Sequence, residues 1–453
     1  MIKSKYTFLI EKENEGILMN YLSGAIDLID NQELQEFKKR LETNHWDDFH
    51  LAEDMLEKKY LFPSTEDEED FIQEKYLEFQ DEYEETQVQL IFSTTYACNF
   101  SCAYCFQEEY SQNSKIVTPE ITDAFFKYAN EKFSREKTQP YITLFGGEPL
   151  LTGKAKENIL YFLKQAKKYN YGIAIVTNGY ELMDYVPEFQ KIGVEIKELQ
   201  VTLDGDRESH DSRRYTSPGI PTFDRISDGI DLAIQSGYRI NLRSIIDKDN
   251  IASLVGLAEH AQSRGWLDAP EGLFESTLGR NYELHTCQKT NSLYERAEMW
   301  KDFFMLADLN PVLKKYHKPQ FHGMRALSET GELPFPIFDG CPAGKKEFAF
   351  DLNGDIYGCT ASVGVSKYKL GSFTDANQSF NHDRLNEWAT RDTLSIPECS
   401  ECPVSLSCGG GCAVLACNQT GKIHSPDCRP VQELVKLGLD YYKITESAAQ
   451  DSV

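Results

Sequence analysis

The chain has 453 residues, of which 41% are hydrophobic and 26% charged, and it carries a net charge of −25. That length exceeds one ordinary domain and suffices for two or three, each with its own core. The acidic balance argues against tracking a nucleic-acid phosphate backbone, and no apolar run approaches the length needed to cross a bilayer, so neither nucleic acid nor membrane is expected as a partner.

The opening stretch, MIKSKYTFLIEKENEG, has an apolar run only at 8–10 and no small-residue cleavage site, so it reads as a first strand and not as a secretory signal. A cytoplasmic location is therefore expected. Twelve cysteines in such a chain call for metal or redox chemistry before disulfides.

Residues 1–63 read as a small α+β domain. Apolar strands at 7–10, 17–21 and 25–29 are separated by the turn signals Asn14-Glu15-Gly16 and Ser23-Gly24. A helix follows Asp30-Asn31 with Leu34, Phe37 and Leu41 on one face, and a second is expected over 50–61, stopped by Pro63. Residues 64–88 form an acidic linker: between Glu66 and Glu85 stand eleven acidic residues and one lysine. It reads as a solvated helix, with a dock for a basic peptide as the alternative.

Over 89–285, strands alternate with amphipathic helices, the pattern of βα units on a parallel sheet. The strands are expected at 90–93, 141–145, 173–176, 199–203, 240–246 and 273–276. One helix opens at Thr118-Pro119-Glu120 and carries Ile121, Phe125, Tyr128 and Phe133 on a common stripe; another runs over 224–236 and ends at Gly237. Six strands are too few for the usual eight-stranded barrel, so a partial (β/α)6 barrel is expected. A helical bridge follows over 286–340. Residues 341–430 are rich in Cys and Gly and short of periodic segments, which suits folding around metal. A C-terminal helix and tail occupy 431–453.

Directly after the first barrel strand comes Cys98-x3-Cys102-x2-Cys105. Three thiolates on an iron-sulfur cubane leave one iron open, whereas a structural zinc needs a fourth ligand. Further segments stand at or after the ends of the next strands: Phe145-Gly146-Gly147-Glu148-Pro149, Val176-Thr177-Asn178-Gly179, and Leu203-Asp204-Gly205 followed by His210-Asp211-Ser212-Arg213-Arg214. Each alone reads as an ordinary turn or cap. Together, in order and at the carboxyl ends of strands, they mark the place where α/β sheets bind ligands.

This set resembles the radical S-adenosylmethionine (SAM) family, whose C-x3-C-x2-C signature has an aromatic residue, here Tyr104, before its third cysteine. The resemblance implies that Cys98, Cys102 and Cys105 hold a 4Fe-4S cluster whose open iron chelates SAM. An electron from the cluster then breaks the sulfur to C5′ bond, and the resulting radical abstracts a hydrogen from substrate. It implies Gly146, Gly147, Glu148 and Pro149 beside the methionyl group, with Glu148 accepting from the SAM amine. Thr177 and Asn178 fall near the adenosyl part, and Asp204 belongs to the same site. Arg214 pairs with the SAM carboxylate, with Arg213 a near neighbour. A low-potential donor such as flavodoxin or ferredoxin is the implied electron source.

Seven more cysteines run Cys341-x17-Cys359, then Cys399-x2-Cys402-x5-Cys408-x3-Cys412, then Cys428, with Gly354 five before Cys359. A zinc ribbon over Cys399 to Cys412 is the alternative for that segment alone. The pattern resembles the SPASM extension. The resemblance implies one auxiliary 4Fe-4S cluster on Cys341, Cys359 and Cys412 and another on Cys399, Cys402, Cys408 and Cys428, hence three clusters in all. Seven ligands for two cubanes is one short. Either an iron stays open to water or a substrate thiolate, or Cys287 or Cys417 closes the site; as buried small hydrophobes both would be uninvolved.

The order of elements in 1–63 resembles the peptide-recognition domain fused to many maturases of ribosomally made, post-translationally modified peptides (RiPPs). Physically, an exposed strand beside a helix can take an extended leader as an added strand. The resulting expectation is a maturase that binds a leader-bearing precursor peptide and forms a thioether or carbon cross-link. Alternatives are a sulfatase-maturase-like oxidase of Cys or Ser, dehydrogenation of a small alcohol, and a non-enzymatic iron-sulfur electron-transfer or zinc protein. Glu275 and Tyr282, at or just past the last predicted strand, are candidates for the substrate side.

Overall fold

The computed structural model describes residues 1–105, 115–281, 292–374 and 380–444. The chain divides into two compact units, one comprising Met1–Glu85, Pro319–Cys341 and Thr390–Val453, the other Thr86–Lys318 and Pro342–Ala389.

In the first unit, strands β1 (Ile2–Lys3), β2 (Thr7–Glu11), β3 (Glu15–Asn20), β4 (Ala25–Asp30) and β5 (Leu61–Phe62) make two sheets: an antiparallel meander β2-β3-β4 and a β1-β5 pair. The helix Asn31–Thr43 starts where Asp30 and Glu33 form a reciprocal capping box, and it stops at Asn44 in the left-handed region. Leu34 and Phe37 enter a core with Leu18, Ile29, Trp46, Phe49 and Met55. Leu41, expected on the same face, is instead 43% exposed, in the last turn of the helix. The helix expected over 50–61 spans only Ala52–Glu57. Lys59 turns left-handed at φ 64°, and Leu61–Phe62 then pair with β1.

The acidic segment is the helix Thr65–Glu85, and it is docked. Ile72 is buried, Tyr76 and Phe79 lie with ring centroids 5.3 and 5.7 Å from Phe338, and the buried Glu68 carboxylate accepts the Lys5 N–H at 2.8 Å.

The second unit is built on β6 (Gln89–Ser93), β7 (Tyr141–Phe145), β8 (Ile173–Thr177), β9 (Ile196–Thr202), β10 (Ile240–Ile246) and β11 (Phe274–Arg280), all parallel and in sequential order. Leu199, Val201, Ile240 and Leu242 are fully buried, as are Ile226, Ile230 and Ala233 of the helix Phe223–Gln235. Helix Pro119–Lys132 is capped by the Thr118 hydroxyl with proline in its first turn. The α/β architecture is thus the expected one.

Three further strands, β12 (Glu347–Asp351), β13 (Asp355–Tyr357) and β14 (Gly371–Ser372), were not expected and carry the sheet past β6; β12 is parallel to β6, β13 antiparallel to β12 and β14 antiparallel to β13. β13 and β14, of three and two residues, are too short to show periodicity, and β12 stands apart from any βα alternation, in a segment read as Cys- and Gly-rich. Phe350 and Phe373 seal them to the helical layer: Phe350 lies 5.1 Å from Phe125, Phe125 lies 4.7 Å from Phe92, and Phe373 lies 5.8 Å from Phe350. Among the described residues no helix is long and apolar enough to cross a membrane. Truncating the fully buried Phe350 to Ala is expected to cost about 3–5 kcal/mol, read as a lower urea midpoint for the second unit.

Candidate active site and cysteine centres

The site in the second unit is built where the chain leaves β6. Gly146 has φ 140°, and a Cβ there would stand 2.2 Å from the Thr95 carbonyl oxygen; one on Gly147 would stand 2.2 Å from that of Ala97. No other residue fits such a close backbone approach. The approach is bonded: Gly147 N–H donates to Thr95 O at 2.8 Å and Glu148 N–H to Ala97 O at 2.9 Å. The loop carrying Cys98, Cys102 and Cys105 is thereby tied to the end of β7.

Glu148 is the buried centre of this arrangement. One carboxylate oxygen accepts the Thr177 hydroxyl at 2.6 Å and the Leu150 N–H at 2.8 Å, and the other accepts the Asn178 N–H at 2.6 Å. Of the four acceptor positions of a carboxylate, one is left on the oxygen facing Asn178. Asn178 in turn donates to the Asn99 side chain at 2.7 Å, beside Cys98. Burial lifts the Glu148 carboxyl to about 7 against the pull of its hydrogen bonds. Burial also pushes the Cys98 thiol up to about 12, with Glu148 adding to the rise, and it raises Cys102, which Arg214 partly offsets.

On the other side, Asp204 is fully buried and accepts the Ile245 N–H at 2.9 Å and the Tyr104 hydroxyl. The Asp204 N–H donates to His210 Nδ1 at 3.2 Å, so the imidazole carries its proton on Nε2, 3.0 Å from the Thr222 hydroxyl. That hydroxyl donates to the Arg214 carbonyl at 2.7 Å. Burial, with Arg214 and Arg213 nearby, holds His210 well below its ordinary range and hence neutral. The two arginines are not equivalent. Arg213 is committed to Asp247, at 2.9 and 3.1 Å. Arg214 donates from one nitrogen to the Tyr104 hydroxyl at 2.7 Å; the buried Nε of each arginine has no hydrogen-bond partner, but that of Arg213 lies 3.6 Å from the Asp204 carboxylate.

In the first unit, Cys399, Cys402, Cys408 and Cys428 lie close enough that the other three act on Cys399, whose thiol burial pushes up to about 12. Four thiols that disfavour one another's thiolates need a cation to be held as thiolates, so this donor set fits an iron-sulfur cluster. Their loops are gathered by Arg391, which is 1% exposed. Its guanidinium donates to the carbonyls of Ile423, Gly411, Gly410 and Ser425 at 2.9, 3.2, 2.7 and 3.0 Å. Gly409, Gly410 and Gly411 all have positive φ, from 64° to 77°, which turns the chain tightly between Cys408 and Cys412. Cys341 acts on Cys412 within the same unit; Cys359 belongs to the second unit. Among the described residues no three Cys, His, Asp or Glu side chains close to metal-binding distance.

Cys417 is half-buried on the helix Ala413–Thr420, while Cys287 and Tyr282 lie outside the described residues. Glu275 sits at the start of β11, not at its end, and pairs with Arg239 at 2.6 Å. It is therefore at the opposite end of the strand from the site. Tyr104, Asn99 and Asp247 join the site through hydrogen bonds that sequence order alone does not reveal, although the aromatic before Cys105 was a signal for the first.

Residues 92–261 match the family described as the Radical SAM superfamily. The chain is 26% identical over 346 residues to a serine-type anaerobic sulfatase-maturating enzyme of Bacteroides thetaiotaomicron, covering 70% of this chain and 80% of that one. It is 20% identical over 455 residues to the radical SAM cyclopropyl synthase TigE of Paramaledivibacter caminithermalis, covering 91% and 89%. Streptococcus suis SuiB, solved bound to its precursor peptide SuiA, shares the fold with a TM-score of 0.55 at 15% identity over 95% of this chain and 99% of that one.

A Glu148 carboxyl at about 7 instead of its ordinary 4.5 stores about 3 kcal/mol of destabilisation above pH 7. The folded state then binds the extra proton, so apoprotein stability is expected to fall as pH rises from 4.5 to 7. In E148Q that slope should flatten, as measured by urea melts across the range.

Proposed function

We propose that this radical SAM enzyme matures a ribosomally made precursor peptide, holding its leader on the first unit and forming a thioether or carbon cross-link in its core. The observation that carries the reading is β4. It is the edge of the three-stranded meander, its outer side has no ladder partner among the described residues, and Leu28 is 46% exposed. The opposite edge, β2, is largely buried. An extended leader can add to β4 as a fourth strand, with backbone hydrogen bonds giving affinity and Leu28 an apolar contact. The relation to the cyclopropyl synthase, which takes in 91% of the chain, supports a substrate of this class.

A second reading, oxidation of a Cys or Ser side chain, is favoured by the 26% identity to the sulfatase-maturating enzyme. It needs no leader.

In the proposed site, Cys98, Cys102 and Cys105 hold the 4Fe-4S cluster that, with SAM bound, supplies one-electron cleavage and a carbon radical. The chain's own residues do the positioning. Arg214 is the arginine available for the SAM carboxylate, because Arg213 is spent on Asp247 and faces Asp204. Glu148 offers its one remaining acceptor position to the SAM amine, while Gly146, Gly147 and Pro149 keep the end of β7 close to it. Thr177, Asn178 and Asp204 are held by buried hydrogen bonds and face no reorganisation when SAM arrives. Cys399, Cys402, Cys408 and Cys428 hold an auxiliary cluster. The count of three rests on the cysteine pattern, which leaves Cys341, Cys359 and Cys412 for the last. A low-potential flavodoxin or ferredoxin supplies electrons.

Anaerobically reconstituted protein is expected to bind about twelve irons per chain, and the C98A/C102A/C105A variant about eight, with SAM cleavage abolished. L28E should keep iron and SAM cleavage yet lose at least about tenfold in modification of the precursor peptide encoded beside it, the loss of a docking contact of about 1.4 kcal/mol. Zinc in place of iron, or equal turnover by L28E, refutes the reading.

A further inference from the structure

Tyr6, in the loop between β1 and β2, is fully buried, 0% exposed, and its hydroxyl has no hydrogen-bond partner. Its backbone is pinned on every side. The Tyr6 N–H donates to the Ser4 hydroxyl at 3.2 Å, the preceding Lys5 N–H to Glu68 at 2.8 Å, and the following Thr7 hydroxyl to the Tyr60 carbonyl at 3.0 Å. The ring is thus not free to swing its hydroxyl into water. Leaving such a group unpaired costs about 1–3 kcal/mol; the hydroxyls of Ser93, Thr122 and Ser405 share that state, and it is the surroundings of Tyr6 that point to a partner.

The direction in which the partner lies is set by the neighbours. The Lys5 ammonium reaches the Glu401 carboxylate at 3.7 Å, which brings residues 5 and 6 alongside 401 and 402. Burial, then the Glu68 and Glu401 carboxylates and then Cys402 push the phenol up, so the hydroxyl lies in the neighbourhood of all three side chains; both carboxylates are engaged elsewhere, Glu68 by the Lys5 N–H and Glu401 by the Lys5 ammonium, which leaves the sulfur. All of these residues belong to one compact unit. A cysteine sulfur in an iron-sulfur cluster carries partial negative charge and accepts hydrogen bonds, and such bonds are among the determinants of cluster potential.

We propose that the Tyr6 hydroxyl donates to the sulfur of Cys402 when a 4Fe-4S cluster occupies Cys399, Cys402, Cys408 and Cys428, and that it thereby raises that cluster's reduction potential. The inference rests on the reading of these four cysteines as cluster ligands. Tyr6 is a positioning residue: it holds a dipole against one ligand, and the added electron is stabilised because reduction increases the negative charge that the dipole faces. The N-terminal segment, whose meander is proposed to hold the leader, then also forms part of the wall of an auxiliary cluster.

The test is a redox titration followed by electron paramagnetic resonance, on the full chain in the C98A/C102A/C105A background so that the SAM cluster does not overlap the signal. Y6F is expected to retain its iron, with the midpoint of one auxiliary cluster moved negative by about 59 mV, a tenfold shift in a one-electron equilibrium. Full iron with both midpoints unchanged overturns the inference while leaving the cluster assignment intact. Absence of iron from the parent, or loss of no cluster on replacing Cys402 by Ala, overturns the assignment and the inference with it. Should Y6F bind less iron, the parent grown on ring-deuterated tyrosine decides the matter. Deuterium coupling to the reduced auxiliary cluster supports the contact, and its absence overturns it.

Discussion

The second unit depends on one close approach, that of the Gly146-Gly147 backbone to Thr95 and Ala97. Two backbone hydrogen bonds close it, at 2.8 and 2.9 Å, and side chains of any size at either glycine would break it. Because β6 and β7 are neighbours in a parallel sheet, their carboxyl ends already lie side by side. The glycines turn that proximity into a bonded junction. The cysteine loop is held from its other side as well, where the Tyr96 hydroxyl donates to Asp351 at 2.9 Å. Asp351 also accepts the N–H groups of Asn353 and Asp355, so the turn between β12 and β13 and the start of the cysteine loop share one buried carboxylate. The late segment 342–389 therefore supports the site as well as extending the sheet.

From this junction the buried polar groups propagate in two directions. Glu148 ties the end of β7 to the end of β8, and Asp204 ties the end of β9 to the end of β10. Each uses a side-chain carboxylate to satisfy backbone N–H groups that the ladder has released. The result is a ring of strand ends whose donors and acceptors are mostly spent on one another. Against that background two uncommitted groups matter for a ligand: one acceptor position on Glu148 and the Nε of Arg214. An acceptor and a cation at this separation of roles suit a zwitterionic ligand with an amine and a carboxylate, which is what an amino acid end presents.

Much of this was legible in the sequence, for identifiable reasons. The six parallel strands announce themselves by apolar runs between helical stripes, and the motifs at their ends are local strings such as Gly146-Gly147-Glu148-Pro149. The misses share a cause. β12 owes its place to pairing with β6, which lies more than 250 positions earlier, and β13 and β14, of three and two residues, are added to it in turn. The helix over 50–61 was overextended because the pairing of Leu61 with Lys3 lies beyond any local window. Glu275 was put at the wrong end of its strand because β11 begins and ends later than its apolar residues suggest. Which of two adjacent arginines is committed was equally hidden, since Asp247 lies 34 residues away.

Arg391 shows how a buried polar group helps cysteine-bearing loops keep their shape. Its charge faces four carbonyl dipoles, and these belong to loops that lead toward Cys408, Cys412 and Cys428. This clasp is made entirely of protein atoms, so these loops are bound to one another through a buried cation, apart from whatever the thiols hold. A neutral side chain in place of the guanidinium would leave four buried carbonyls without that donor at once, so the damage would spread along the backbone beside three cysteines.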